Sequence, residues 1–144
     1  LFLLNLLSTV SHYRSEMGNS KLIFIVDDDS FINMLVVKKF TAEGYAVEAF
    51  ESGEECLKAL NRNPDLIILD YLFVSKEEKV MNGMEVFDRI REARPGIPVI
   101  MLSGQEDGEV VLELARKGIV DYIIKDNSLL ENLGIAIREL FQSE

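Results

Sequence analysis

The stretch LIFIVDDDS, residues 22–30, decides the fold. An unbroken apolar run, LIFIV (22–26), is short enough for a buried strand, and three aspartates and a serine close it. The same pattern recurs downstream. DLIIL (65–69) is followed by Asp70, PVIML (98–102) by Ser103, and IVDYII (119–124) by Lys125; YAVEAF (45–50) completes a set of five candidate strands. Amphipathic segments separate them. Helices are expected over 30–43 (Phe31, Leu35, Phe40), 53–62 (Cys56, Leu57, Leu60), 84–94 (Val86, Phe87, Ile90), 106–117 (Val110, Val111, Leu114) and 128–142 (Leu129, Leu133, Ile137, Leu140). Strict strand–helix alternation with continuous apolar strands predicts an α/β fold, a doubly wound parallel sheet covered on both faces. In such folds ligands bind beyond the carboxyl ends of the strands, so the polar residues closing each apolar run carry the functional question.

Composition narrows the class. The chain has 144 residues, enough for one hydrophobic core, and is 48% hydrophobic with a net charge of −10. So acidic a chain is a poor direct partner for nucleic acid, whose backbone needs a basic surface. Cys56 is the single cysteine, which excludes an internal disulfide and suits a reducing, cytoplasmic compartment. It is expected to be a packed small hydrophobe in its helix. With one histidine, His12, far from that cysteine, there is little basis for a zinc site. Residues 1–20 read as an N-terminal extension ahead of a domain over 21–144. Leu3, Leu4 and Leu7 have helical spacing, and self-association into a homodimer through such a helix is a candidate role. The apolar run here is too short to span a bilayer and has no basic region before it, so no membrane association is expected. Met17 leaves three readings of residues 1–16: an upstream start, an expression remnant or a short extra helix.

The strand ends form a constellation: Asp27, Asp28 and Asp29 after strand one, Asp70 after strand three, Ser103 after strand four and Lys125 after strand five. Carboxylates gathered on one rim repel one another and lose hydration. A hard divalent cation relieves this, and Mg²⁺ prefers carboxylate, carbonyl and water oxygens. One carboxylate oxygen can then act as a nucleophile toward phosphorus, with metal and lysine neutralising charge on the phosphoryl oxygens. A serine hydroxyl can bond one of those oxygens after transfer. Singly, each residue has a structural reading. Asp29 or Ser30 reads as a helix cap, Ser103 equally as a cap, and Lys125 as a solvated charge. Their coincidence on one rim favours the site.

These residues carry a resemblance. LIFIVDDDS, NPDLIILDYL, NGMEVFDRIR, IPVIMLSG and DYIIKD are similar to the motifs of bacterial response-regulator receiver domains and span 21 to about 141. The resemblance implies a flavodoxin-like five-stranded sheet of order 2-1-3-4-5. It implies that Asp70 is the phosphoacceptor and that Asp27 and Asp28, with Asp70 and the backbone carbonyl of Leu72, hold Mg²⁺. Ser103 resembles the switch hydroxyl, Lys125 the phosphate-contacting lysine and Tyr122 the aromatic that moves with the switch. The implied phosphodonor is a histidine kinase or histidine phosphotransfer protein. The implied output partner is a protein docking on the face of helix four, strand five and helix five. Such a domain is not an enzyme beyond its own phosphorylation and slow dephosphorylation.

Three departures from the family pattern stand out. Gly83 comes thirteen residues after Asp70, later than the pattern places it and without the usual proline; the intervening stretch carries Lys76, Glu77, Glu78 and Lys79. Asp126 replaces the proline that normally follows the lysine, so the Lys125–Asp126 bond is expected to be trans. Gly104 replaces the usual alanine and loosens its loop. Leu72 and Gln105 occupy positions linked to the lifetime of the aspartyl phosphate. A leucine there cannot orient water, so slow self-dephosphorylation is expected. Two rivals remain at this stage: a degenerate receiver acting only as a binding module, and a phosphatase of the haloacid-dehalogenase type, suggested by Asp27-x-Asp29. The absence of a Gly-rich loop after strand one sets nucleotide-binding folds aside. With no output domain before Glu144, the chain is either a stand-alone receiver or a piece of a larger protein.

Overall fold

The computed structural model describes residues 20–72 and 81–143. Five parallel strands form one sheet: β1 Leu22–Val26, β2 Ala46–Phe50, β3 Leu66–Asp70, β4 Val99–Ser103 and β5 Asp121–Ile124, in the order β2-β1-β3-β4-β5. The helices between them are α1 Ser30–Ala42, α2 Gly53–Lys58, α3 Gly83–Ala93, α4 Gly108–Lys117 and α5 Leu129–Gln142. The alternation, sheet order and both-face coverage are those expected.

Strand alternation splits the core into two layers. Ile23, Ile25, Ile68, Ile100 and Ile123 face Val36 and Phe40 of α1 and Leu133 and Ile137 of α5. Phe24, Ile67, Leu69 and Met101 face Cys56, Phe87 and Leu114, from α2, α3 and α4. Strands β1, β3 and β4 are almost wholly buried, whereas the edge strand β2 is largely half-exposed. That burial pattern explains why β1, β3 and β4 carry no charge before their ends, while Glu48 and Asp121 stand in the edge strands β2 and β5. Cys56 is fully buried, and burial pushes its thiol up to about 12.

Local signals set the boundaries. Asp29 caps α1 by accepting from Phe31 N at 2.9 Å, so of the two cap candidates it is the aspartate that serves. Asn82 caps α3 through Glu85 N, and Asp107 caps α4, which therefore begins two residues later than expected. The helix expected over 53–62 breaks at Ala59 into α2 and a 3₁₀ turn, Leu60–Arg62. Pro64 disfavours helical geometry in the residue before it, and Asn63 takes a left-handed φ of 57°. Among the described residues no peptide bond is cis, in line with a trans Lys125–Asp126 bond. The expectations for residues 1–19, including Leu3, Leu4, Leu7 and His12, and for residues 73–80 of the extended loop lie outside the described residues.

Candidate phosphoacceptor site

Sheet register builds the site. Val26 pairs with Leu69, so the next residues, Asp27 and Asp70, sit level at the carboxyl ends of adjacent strands. Ser103 pairs with Ile124, which places Lys125 one step beyond. Alternation then sorts the side chains. Asp27, Asp70 and Lys125 follow the parity of Ile25, Ile68 and Ile123, the side of α1 and α5. Ser103 and Tyr122 follow the opposite parity, toward α4.

The first group forms one cluster. Carboxylate oxygens of Asp27, Asp28 and Asp70 lie within 4.8 Å of one another, with Asp27 and Asp70 buried and Asp28 exposed. Lys125 Nζ lies 2.6 Å from Asp27 Oδ2 and 2.9 Å from Asp70 Oδ1. Asp27 Oδ1 accepts from Asp29 N at 2.9 Å. Asp29 thus contributes a backbone donor and a helix cap to the rim. Asp70 Oδ2 is buried and has no hydrogen-bond partner. Burial and the neighbouring Asp27 charge push the Asp70 carboxyl up to about 6, against the opposing pull of Lys125 and the Leu72 backbone. Burial also works against the Lys125 charge, but its two carboxylate partners outweigh that and hold its pKa above the ordinary value.

This donor set fits a hard divalent cation. Three carboxylates converge against a single lysine, one buried oxygen is left without a donor, and the ligands are all oxygen. Leu72 stands two residues past Asp70 with its side chain exposed, at the brink of the extended loop.

The second group gathers on one backbone carbonyl. Ser103 Oγ donates to Gln105 O at 3.1 Å and accepts from Gln105 N at 3.2 Å; Tyr122 Oη donates to the same Gln105 O at 2.8 Å. Both predicted switch residues therefore share an acceptor, and the serine hydroxyl is committed to the β4–α4 loop.

Asn33 escapes the sequence reading, and Gly83 stands out there only for its spacing. Asn33 of α1 is buried and bonds the ends of β1 and β2. Its signal was a polar residue in the helix's buried stripe, with Val36 and Phe40 three and seven residues on. Gly83 matters for space. A Cβ there would fall 2.4 Å from Asp70 O and 2.6 Å from Tyr71 Cα, and its N–H donates to Tyr71 O at 3.0 Å. The start of α3 is thus packed directly against the backbone of Asp70 and Tyr71.

Fold and site together define a phosphoacceptor signalling domain, and comparison with known proteins assigns the family. Residues 23–136 match the response regulator receiver domain, and the chain belongs to that family. It is similar to the transcriptional regulatory protein GlrR of Escherichia coli (35% identity over 72% of this chain and 22% of the relative). It is also similar to the two-component response regulator ORR27 of Oryza sativa (34% over 72% and 16%). The chain spans about a quarter or less of the length of these curated relatives. Among solved structures it resembles the receiver domain of NtrX from Brucella abortus, at TM-score 0.74 and 26% identity over 85% of this chain and 99% of that one. The response regulator TrrA of Thermotoga maritima, solved in complex with Mg²⁺-BeF, matches at TM-score 0.70 and 28% identity over 83% and 98%. Family membership displaces the phosphatase alternative. The acidic cluster Asp27, Asp28 and Asp70 fits the phosphoacceptor site of a receiver domain. Among the described residues no helix is long and apolar enough to cross a membrane.

Proposed function

We propose that this chain is a phosphorylation-driven switch in which Asp70 takes a phosphoryl group from a histidine kinase or a histidine phosphotransfer protein. The observation that carries this reading is the asymmetry of Asp70. Oδ1 is engaged by Lys125, while Oδ2 is buried without any donor, beside two further acids. An oxygen that gives no hydrogen bonding back to the fold is poorly explained by stability.

Asp27, Asp28, Asp70 and the Leu72 carbonyl would hold Mg²⁺. The ion would neutralise phosphoryl charge and hold the incoming group in line with Asp70. In the transfer an Asp70 oxygen attacks phosphorus and the bond from phosphorus to the donor's imidazole nitrogen breaks. The electron pair leaves with the imidazole, and the Asp70 carboxylate becomes an acyl phosphate. Lys125 exchanges its carboxylate partners for a phosphoryl oxygen. Ser103 then has a new acceptor, for which it gives up Gln105 O, leaving Tyr122 as the hydroxyl donor to that carbonyl. Coupled movement of Ser103, Gln105 and Tyr122 would carry the signal into the β4–α4 loop.

The output reading rests on exposed apolar side chains. Leu112 of α4, Val120 before β5 and Ile135 of α5 are exposed, on the elements that border the face where a partner protein or a second copy would dock. Slow self-dephosphorylation follows from Leu72, which cannot orient water. A cytoplasmic setting agrees with the free, buried Cys56. Beyond its own phosphorylation and slow dephosphorylation, the domain does no enzymatic work.

Incubation with acetyl phosphate and Mg²⁺ tests the assignment. The wild type should gain one phosphoryl group that is lost with EDTA present from the start, and Asp70→Asn should gain none. Undiminished labelling of Asp70→Asn would sink it. A wild type that takes no label would point instead to a receiver acting only as a binding module.

A further inference from the structure

Asn33 is a costly residue where it stands. It lies inside α1, only 5% exposed, in line with the core residues Val36 and Phe40. Its Oδ1 is buried without a partner, a loss that a well-packed apolar side chain would avoid. What the residue gains is on its other side. Nδ2 donates to Asp27 O at 2.8 Å and to Phe50 O at 3.3 Å.

The Asp27 carbonyl is no ordinary acceptor. It belongs to the peptide group joining Asp27 to Asp28, the two acids that share the candidate cation site. That group is a rigid plane, so holding its oxygen restrains how the plane turns between Asp27 and Asp28. Every other handle on Asp27 is also taken. Its N–H donates to Phe50 O at 3.0 Å, Oδ1 accepts from Asp29 N, and Oδ2 faces Lys125. The Asn33 amide closes the remaining freedom. With it, the backbone that carries the Asp27 and Asp28 carboxylates is held in one orientation; without it, the plane between them can turn.

Building on the proposed function, we propose that Asn33 is a positioning residue for the divalent cation, setting the angle between the Asp27 and Asp28 carboxylates by pinning the peptide plane between them. It acts through the backbone and touches neither the metal nor the phosphoryl group. Groups that orient metal-binding residues in this way typically change affinity by about 10–100-fold when removed.

The test separates positioning from plain stability. Asn33→Leu keeps the branched shape and removes the donor; Asn33→Ser keeps a small polar group that cannot span both carbonyls. For each, Mg²⁺ affinity of the folded protein is measured by calorimetric titration, and metal-free stability by urea unfolding in EDTA. The expected result is a Mg²⁺ Kd raised about tenfold or more in both variants, with cooperative unfolding retained. Lower stability with an unchanged Kd would overturn the proposal, leaving Asn33 as a buried hydrogen-bond donor only. Failure of both variants to fold would overturn it in the same way. A wild type that binds no Mg²⁺ would overturn the proposed function as well; a binding wild type with unaffected variants would overturn this inference alone.

Discussion

Replacing Asp70 by asparagine should make the metal-free protein more stable. The Asp70 carboxyl is pushed from its ordinary 3.8 up to about 6, first by burial and then by Asp27, so its charged form is held at a cost near neutral pH. At about 1.4 kcal/mol per pH unit between the two values, that cost approaches about 3 kcal/mol. Asparagine keeps the shape and an acceptor for Lys125 but weakens that pairing, so a net gain of about 1–3 kcal/mol is expected. For a domain of this size that is a rise in Tm of about 4–12 °C. The pH dependence has a definite sign. Because the folded value lies above the unfolded one, the stabilising contribution is complete below 3.8 and is lost as pH rises through about 6. The gap between variant and wild type should be full at pH 7.5 and close toward pH 4. Thermal melts in EDTA across this range read it directly. Saturating Mg²⁺ should then lift the wild type, by about 2.7 kcal/mol at a hundredfold excess over Kd, and narrow the gap. A variant that melts at or below the wild type at pH 7.5, or a gap indifferent to pH, would show that the Asp70 charge is not held at a cost.

Two further outcomes follow from packing. Gly83→Ala would drive a methyl group into the backbone of Asp70 and Tyr71, neither of which can rotate away. It should cost about 2 kcal/mol or more in urea unfolding and lower acetyl-phosphate labelling, because the strain falls on the nucleophile's own peptide group. Cys56, fully buried and with its thiol held near 12, should resist thiol reagents at pH 8 in the folded protein and react fully in urea.

Much of this was legible in the sequence because burial on both faces leaves a strong mark. β1, β3 and β4 announce themselves as apolar runs, and the residues closing them are the site. Asp27, Asp70 and Lys125 meet because parallel register levels the strand ends, which a list of strand ends anticipates. What stayed hidden depends on side-chain direction. That Ser103 and Tyr122 share Gln105 O, apart from the carboxylates, follows from strand parity at single-residue resolution, and boundaries read from apolar runs are coarser than that. Asn33 is hidden in the sequence because one polar residue in a helix reads as surface unless its register with Val36 and Phe40 is followed. Pro64 and the left-handed Asn63 end the segment after Arg62, beyond the helical pattern itself.

A phosphoacceptor role for Asp70 requires the phosphoryl group to sit on Asp70 and on no other acid of the cluster. Reducing the phosphorylated protein with borohydride converts an aspartyl phosphate to homoserine, and peptide mass mapping then locates it. Homoserine is expected at position 70 alone, dependent on Mg²⁺ during phosphorylation. Conversion at Asp27 or Asp28, or a phosphoryl group that survives reduction on Ser103, would contradict it.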